Sequence, residues 1–125
     1  MGGERKAYPL RVDPGLWAVV ERQTQQTIGF CGLSHFADVD GQPETEIGYR
    51  LARAHWGRGY ATEAARAVRQ YAMETLGLSR LISIINPQNV ASIRVAEKTG
   101  LRFEKQAVFH DKPVQIYSIA RLAGG

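Results

Sequence analysis

The sequence predicts a mixed α/β domain with a partly antiparallel central sheet and flanking helices. Two observations carry that expectation. Apolar, β-branched runs separated by polar turns occur before residue 52 and after residue 100, as hairpin-connected strands require. Between them, Ala61, Ala64, Ala65, Val68, Ala72 and Leu76 recur at three- and four-residue steps, the period of an amphipathic helix.

The elements follow in order. Residues 1–15 carry Pro9, Pro14 and Gly15 with little periodicity and read as an irregular lead-in. Residues 16–21 (LWAVVE) are an apolar run and read as a strand, and residues 27–36 (TIGFCGLSHF) as its partner. Gly29 and Gly32 suggest a bulge or close packing there. Residues 37–43 hold Asp38, Asp40, Gly41 and Pro43 and read as a loop. Residues 44–51 (ETEIGYRL) partly alternate and form a third strand. The helix then runs to Leu76 and stops at Gly77. Residues 80–85 (RLISII) are a short buried strand, and residues 90–99 a second helix ended by Gly100. A closing hairpin pairs residues 101–109 with 114–122 around His110-Asp111-Lys112-Pro113. The expected order is β-β-β-α-β-α-β-β, and the strand-helix-strand unit in the middle should be parallel and right-handed.

Bulk properties narrow the function. The 125 residues are 44% hydrophobic and 22% charged, which fits one ordinary globular domain spanning 1–125. No apolar run approaches the roughly 18 residues that a membrane span needs, and no apolar stretch follows the charged N-terminus as a signal peptide would require. The single cysteine, Cys31, excludes a disulfide framework within the chain and points to a reducing, cytoplasmic setting. It lies in an apolar run and reads as a small core residue. The net charge of +4 comes from scattered residues with no basic run and no aromatic–basic interleaving. Nucleic acid is therefore not the expected partner. A few arginines and lysines are left for a phosphate-rich ligand. His35, His55 and His110 lack metal-ligand spacing, so no metal is expected.

The most informative stretch is residues 46–62, EIGYRLARAHWGRGYAT. A strand ends at Leu51, a short loop carries Gly57 and Gly59, and a helix opens near Ala61. Glycines leave backbone N–H groups unobstructed, and a helix N-terminus favours anions. Arg58 could add a charge-assisted contact. The segment fits a phosphate cradle. It lacks the Gly-Lys-Ser/Thr ending of a Walker loop. It also has Thr62 where a dinucleotide fingerprint needs a small third residue. On spacing alone, a glycine turn with a helix cap stands beside the cradle reading.

The neighbouring residues resemble the GNAT family of N-acetyltransferases, and within it the ribosomal-protein-alanine acetyltransferase-like branch. The matching segments are Glu46-Ile47-Gly48-Tyr49, then Trp56-Gly57-Arg58-Gly59-Tyr60-Ala61-Thr62-Glu63-Ala64, and then residues 89–101 (NVASIRVAEKTGL). The resemblance implies acetyl-CoA as cosubstrate and a primary amine, on a protein N-terminus or a small molecule, as acceptor. It implies that Gly57 to Thr62, flanked by Trp56, hold the pyrophosphate. The strand through Ile47, Gly48 and Tyr49 would pair with the pantetheine arm, with Asn89 hydrogen-bonding that arm. Ser92 would lie near the sulfur and protonate the departing thiolate. Acyl transfer also needs a base, for which Glu46 is the candidate and Glu44 the substitute. The backbone N–H near Tyr49 is the candidate oxyanion donor. Tyr117 is a further acid candidate, with a place in the core as its other reading. Arg94 and Lys98 are candidates for phosphate contact or plain solvation. The resemblance also implies an N-terminally short member, leaving the Trp17 strand as an open edge for a homodimer to cover. A binding module that keeps the acyl-CoA site without an acceptor site is the alternative.

Overall fold

The computed structural model describes residues 6–121. The first five residues of the expected lead-in, and Leu122 at the end of the expected last strand, lie outside the described residues. Seven strands make one sheet: β1 (Ala7–Asp13), β2 (Leu16–Glu21), β3 (Thr27–Val39), β4 (Gln42–Leu51), β5 (Arg80–Ile85), β6 (Arg102–Phe109) and β7 (Lys112–Ala120). Their order across the sheet is β1-β2-β3-β4-β5-β7-β6. Neighbours are antiparallel except β4 and β5, which are parallel and joined through helix α1 (Tyr60–Gln70). The mixed α/β class, the parallel central unit and the closing hairpin are as the sequence predicts.

One face of the sheet packs against α1 and α2 (Val90–Lys98). Alternation sends Trp17, Val19, Cys31, Ile47, Leu51 and Leu81 to this face. Ala61, Ala64, Ala65, Val68 and Ala72 meet them, and the small alanines let the helix approach the strands closely. Burying each large apolar side chain contributes about 1.5–3 kcal/mol. The opposite face carries a smaller cluster of Val39, Ile82, Val114 and Ile116, with Phe36 edge-on to Phe109 at 5.2 Å. Among the described residues, no helix is long and apolar enough to cross a membrane.

Three elements differ from the sequence reading. The lead-in contains a strand, β1, which pairs antiparallel with β2. Pro9 disguises it, but an edge strand tolerates a missing N–H. Pro14 and Gly15, with Gly15 at φ +80°, make the turn between β1 and β2, in the residue order of a type II turn. The edge of the Trp17 strand is therefore already covered, and no second copy is needed to cover it. Residues 37–43 are not an open loop either. β3 and β4 run into a two-residue turn at Asp40-Gly41, with φ of 51° and 94°, the left-handed pair of a type I′ hairpin. Finally, the first helix ends its α geometry at Gln70 and continues as a π turn, Tyr71–Thr75, closed by Leu76 N–H donating to Tyr71 O at 3.0 Å. That wider turn seats Tyr71 edge-on to Trp17 at 5.5 Å.

Candidate active site

The strand-to-helix junction after β4 holds the residues expected to cradle an anion. A 3-10 turn, Arg53–His55, leads into Trp56, Gly57, Arg58 and Gly59. Gly57 (φ +76°) and Gly59 (φ +82°) both adopt left-handed backbone, and a Cβ at either would meet nothing within 4 Å. The loop is open on that side, with room for a bulky group against the backbone. Gly59 is the N-cap of α1 and, like any glycine, offers no side-chain cap. The first-turn N–H groups of Tyr60, Ala61 and Thr62 are left to an external acceptor, with the positive helix end behind them. Tyr60 anchors the cradle from below. Its hydroxyl donates to Glu21 Oε2 at 2.5 Å, a buried contact the sequence did not reveal because the two residues are 39 apart. That bond holds the Glu21 carboxyl below its ordinary range and pushes the Tyr60 phenol up. Trp56 is exposed. Its indole N–H donates to Leu51 O at 2.9 Å and Arg53 stacks on its ring, so it braces the exit of β4.

Beyond Glu46 and Ile82 the parallel strands β4 and β5 part, and that pair is their only register contact. Two bonds fix which backbone groups line the gap. Leu33 N–H donates to Gly15 O, away from β4, so the Leu33–Ile47 pair is not hydrogen-bonded and Ile47 faces β5. Ser83 Oγ donates to Ile47 O at 2.9 Å, from the β5 side. Alternation then turns the backbone of Gly48 toward Gly32 on β3 and the N–H and C=O of Tyr49 into the gap. The pantetheine contact expected of Ile47, Gly48 and Tyr49 thus narrows to Ile47 and Tyr49 on backbone grounds.

A cleft of about 260 Å³ passes through this gap. Ser92, Val95 and Thr99 of the α2 segment line it on the helix side, and Glu46, Gly48 and Ile84 line it toward the other face. Glu46 Oε2 accepts the N–H of Ile84 at 3.2 Å, a donor that the parting of the strands has stripped of its ladder partner. Burial raises the Glu46 carboxyl above its ordinary pKa, and the Ile84 N–H opposes that shift. On the helix side the hydroxyls of Tyr49 and Ser92 lie 3.2 Å apart. The sequence pointed to Tyr49 only for its backbone. Its phenol reaching α2 was hidden by a separation of 43 residues.

Other expected residues find different places. Glu44, the substitute base, is buried under Arg80, which donates to both carboxylate oxygens at 2.9 and 2.7 Å. Arg80 holds its carboxyl below the ordinary range, with both oxygens already engaged. Asn89 is the N-cap of α2 and its Oδ1 accepts the Ser92 N–H at 3.1 Å, which leaves its amide N–H₂ for a ligand. Tyr117 is a core residue, edge-on to Phe103 at 5.7 Å and outside the cleft. Arg94 and Lys98 are exposed on α2. Cys31 is buried, and burial pushes its thiol up to about 12, which removes it as a nucleophile.

Comparison with known proteins gives a consistent result. Residues 5–102 match the model of the acetyltransferase (GNAT) domain. The uncharacterized protein YkkB of Bacillus subtilis (strain 168) is 40% identical over 102 residues, covering 82% of this chain and 59% of that protein. The uncharacterized N-acetyltransferase p20 of Bacillus licheniformis is 33% identical over 95 residues, covering 76% of this chain and 51% of p20. The crystal structure of an acetyltransferase from Agrobacterium tumefaciens strain C58 superposes with a TM-score of 0.75 at 36% identity, covering 86% of this chain and 61% of that one. The chain thus spans between about half and three-fifths of the length of these relatives.

Proposed function

Since the chain belongs to the GNAT acetyltransferase family, we propose that it is an acetyl-CoA-dependent N-acetyltransferase acting on a primary amine, with residues 1–125 working as one domain. The observation that carries this reading is the cleft through the β4–β5 gap, lined by Ile47, Tyr49, Ser92 and the Glu46 carboxylate, together with the open glycine loop that follows β4. A thioester with a pyrophosphate tail fits that arrangement. The N–H groups of Gly57 to Thr62 would hold the phosphates, with Arg58 beside them. The exposed edge of Tyr49, and the amide of Asn89, would meet the pantetheine arm.

Acetyl-CoA supplies an acyl group activated by its thioester bond. The chain supplies the rest. Glu46, kept neutral to higher pH than an exposed glutamate, takes a proton from the ammonium, directly or through water, and frees the nitrogen lone pair. Tyr49 N–H points into the gap where negative charge develops on the carbonyl oxygen. As the C–N bond forms and the C–S bond breaks, the nitrogen sheds its second proton to water, while Ser92 Oγ hands its proton to the sulfur and is resupplied from water through the Tyr49 hydroxyl.

The test has two stages. Acetyl-CoA at millimolar concentration should raise the melting temperature by mass action, and an amine panel should then release free thiol. No thermal shift would reject the reading. A shift without thiol release on any amine would leave an acyl-CoA-binding module instead. Gly59→Asp should remove the shift, because a side chain at φ +82° is strained and its charge repels phosphate.

A further inference from the structure

The helix-free face of the sheet carries a groove that the acyl-CoA side of the cleft does not use. Residues directly opposite on antiparallel strands share a face, so Ser34 and Glu46, Gly32 and Gly48, and Phe30 and Arg50 form three successive rungs across β3 and β4. Leu16, opposite Gly32 on β2, continues the middle rung, and its Cδ1 lies 3.6 Å from where a Gly32 Cβ would be. The place of a Gly32 side chain is taken by the Gly15 carbonyl oxygen, 2.9 Å from a Cβ there, whereas Gly48 leaves a bare spot in the floor. Phe30 (46% exposed) and Leu16 (36% exposed) stand beside it as apolar walls. Glu46 closes one end and Arg50 the other, four residues apart on the same face.

Glu46 is also turned toward this floor. The Ile84 N–H occupies Oε2, while Oε1 leans over Gly48, 3.9 Å from the position of a Cβ there. Nothing else lies within 4 Å of that position. The space above Gly48 therefore opens directly onto a carboxylate oxygen, and it is the void that a side chain would fill.

We propose that the acceptor docks on this face, with its ammonium over Gly48 against Glu46 Oε1 and its body running from there against Phe30. The acceptor is then a monoamine with an apolar or aromatic body. A second cationic group four residues along the groove would meet Arg50, and the next acid on this face, Glu44, is already neutralised by Arg80. Gly48 sets the acceptor specificity by having no side chain. This inference rests on the acetyltransferase reading, and it adds the class of amine and the residue that selects it.

The experiment compares 2-phenylethylamine with spermidine by thiol release from acetyl-CoA, in the wild type, Gly48→Ala, Phe30→Ala and Arg50→Gln. Phenylethylamine should be preferred in kcat/KM by about tenfold or more, and Gly48→Ala should raise its KM by a similar factor. In that variant acetyl-CoA should still raise the melting temperature, which shows that the fold and the cosubstrate end are intact. Phe30→Ala should weaken phenylethylamine alone, and Arg50→Gln should narrow the gap to spermidine. Equal or better turnover of spermidine, or an unchanged amine KM in Gly48→Ala, overturns the proposal while leaving acetyl transfer standing. A wild type that turns over no amine rejects the acetyltransferase reading itself, and this inference with it.

Discussion

Glu44 and Glu46 lie two residues apart on one strand and share a face, yet their surroundings drive them in opposite directions. Arg80 grips Glu44 and keeps it ionised, while burial against a single backbone donor raises Glu46. A carboxyl with a raised folded pKa favours the folded state while protonated and loses that advantage as pH rises from its unfolded value through its folded one. At neutral pH the ionised Glu46 is therefore a cost to stability. Glu46→Gln, which keeps an acceptor for the Ile84 N–H, should raise the melting temperature at neutral pH while lowering kcat about 100-fold. A variant that loses activity and stability together would show that the carboxylate is structural. For the wild type, the acid limb of the kcat/KM profile should fall above the ordinary glutamate range, since activity disappears as Glu46 is protonated. The same scale decides the role of Tyr49. If its hydroxyl resupplies Ser92, Tyr49→Phe should lower kcat by about tenfold or more with little change in acetyl-CoA affinity. The loss should shrink with an acyl donor whose thiol is more acidic, because such a thiolate leaves without a proton. A purely structural tyrosine would give a loss independent of the leaving group.

Among the elements, the cradle depends on how α1 begins. Tyr60 is the first helical residue, and its bond to Glu21 ties that residue to the end of β2. Tyr60→Phe keeps the ring and removes the tie, leaving the Glu21 carboxylate without this donor. Acetyl-CoA affinity should fall several-fold, with a small drop in melting temperature. Unaltered affinity by titration calorimetry would mean that the loop holds its shape alone. The glycine loop and the helix start behind it were legible in the sequence, because Gly57 and Gly59 interrupt the apolar pattern just where the three- and four-residue period begins. Helix stops at Gly77 and Gly100 were legible for similar reasons. β1 was not, since Pro9 and Pro14 are read as breakers unless the strand is already known to be an edge. The β3–β4 turn was missed although Asp40-Gly41 is a strong hairpin signal, because Asp38 and Pro43 around it resemble loop composition. The contacts that finish the site, Tyr49 with Ser92 and Glu21 with Tyr60, join residues far apart in sequence, and no local pattern encodes them.

Across the whole molecule, the cleft exists because β4 and β5 are held together at one end and released at the other. The clamp is an ion network at the closed end. Arg80 on β5 binds Glu44 on β4 and Glu104 on β6, and Ser118 on β7 donates to Glu104 at 2.7 Å. Four strands are thereby joined within two residues of the Glu46–Ile82 pair, after which the gap opens. Arg80 holds the Glu104 carboxyl down to about 2 and lowers that of Glu44 too. Carboxyls with depressed folded pKa values stabilise above the unfolded value of 4.5, and that stability drains away as pH falls through the folded values. Arg80→Met should therefore cost about 3 kcal/mol at neutral pH, since it strands the buried Glu44 charge. The deficit should shrink as both carboxyls protonate between about 4.5 and about 2. Urea unfolding of both proteins across that range measures the difference directly. A deficit that stays constant down to the acid end would mean that Arg80 acts through packing of its stem. A deficit that closes, accompanied by weakened acetyl-CoA binding at neutral pH, would show that the clamp sets the width of the gap as well as the stability of the sheet.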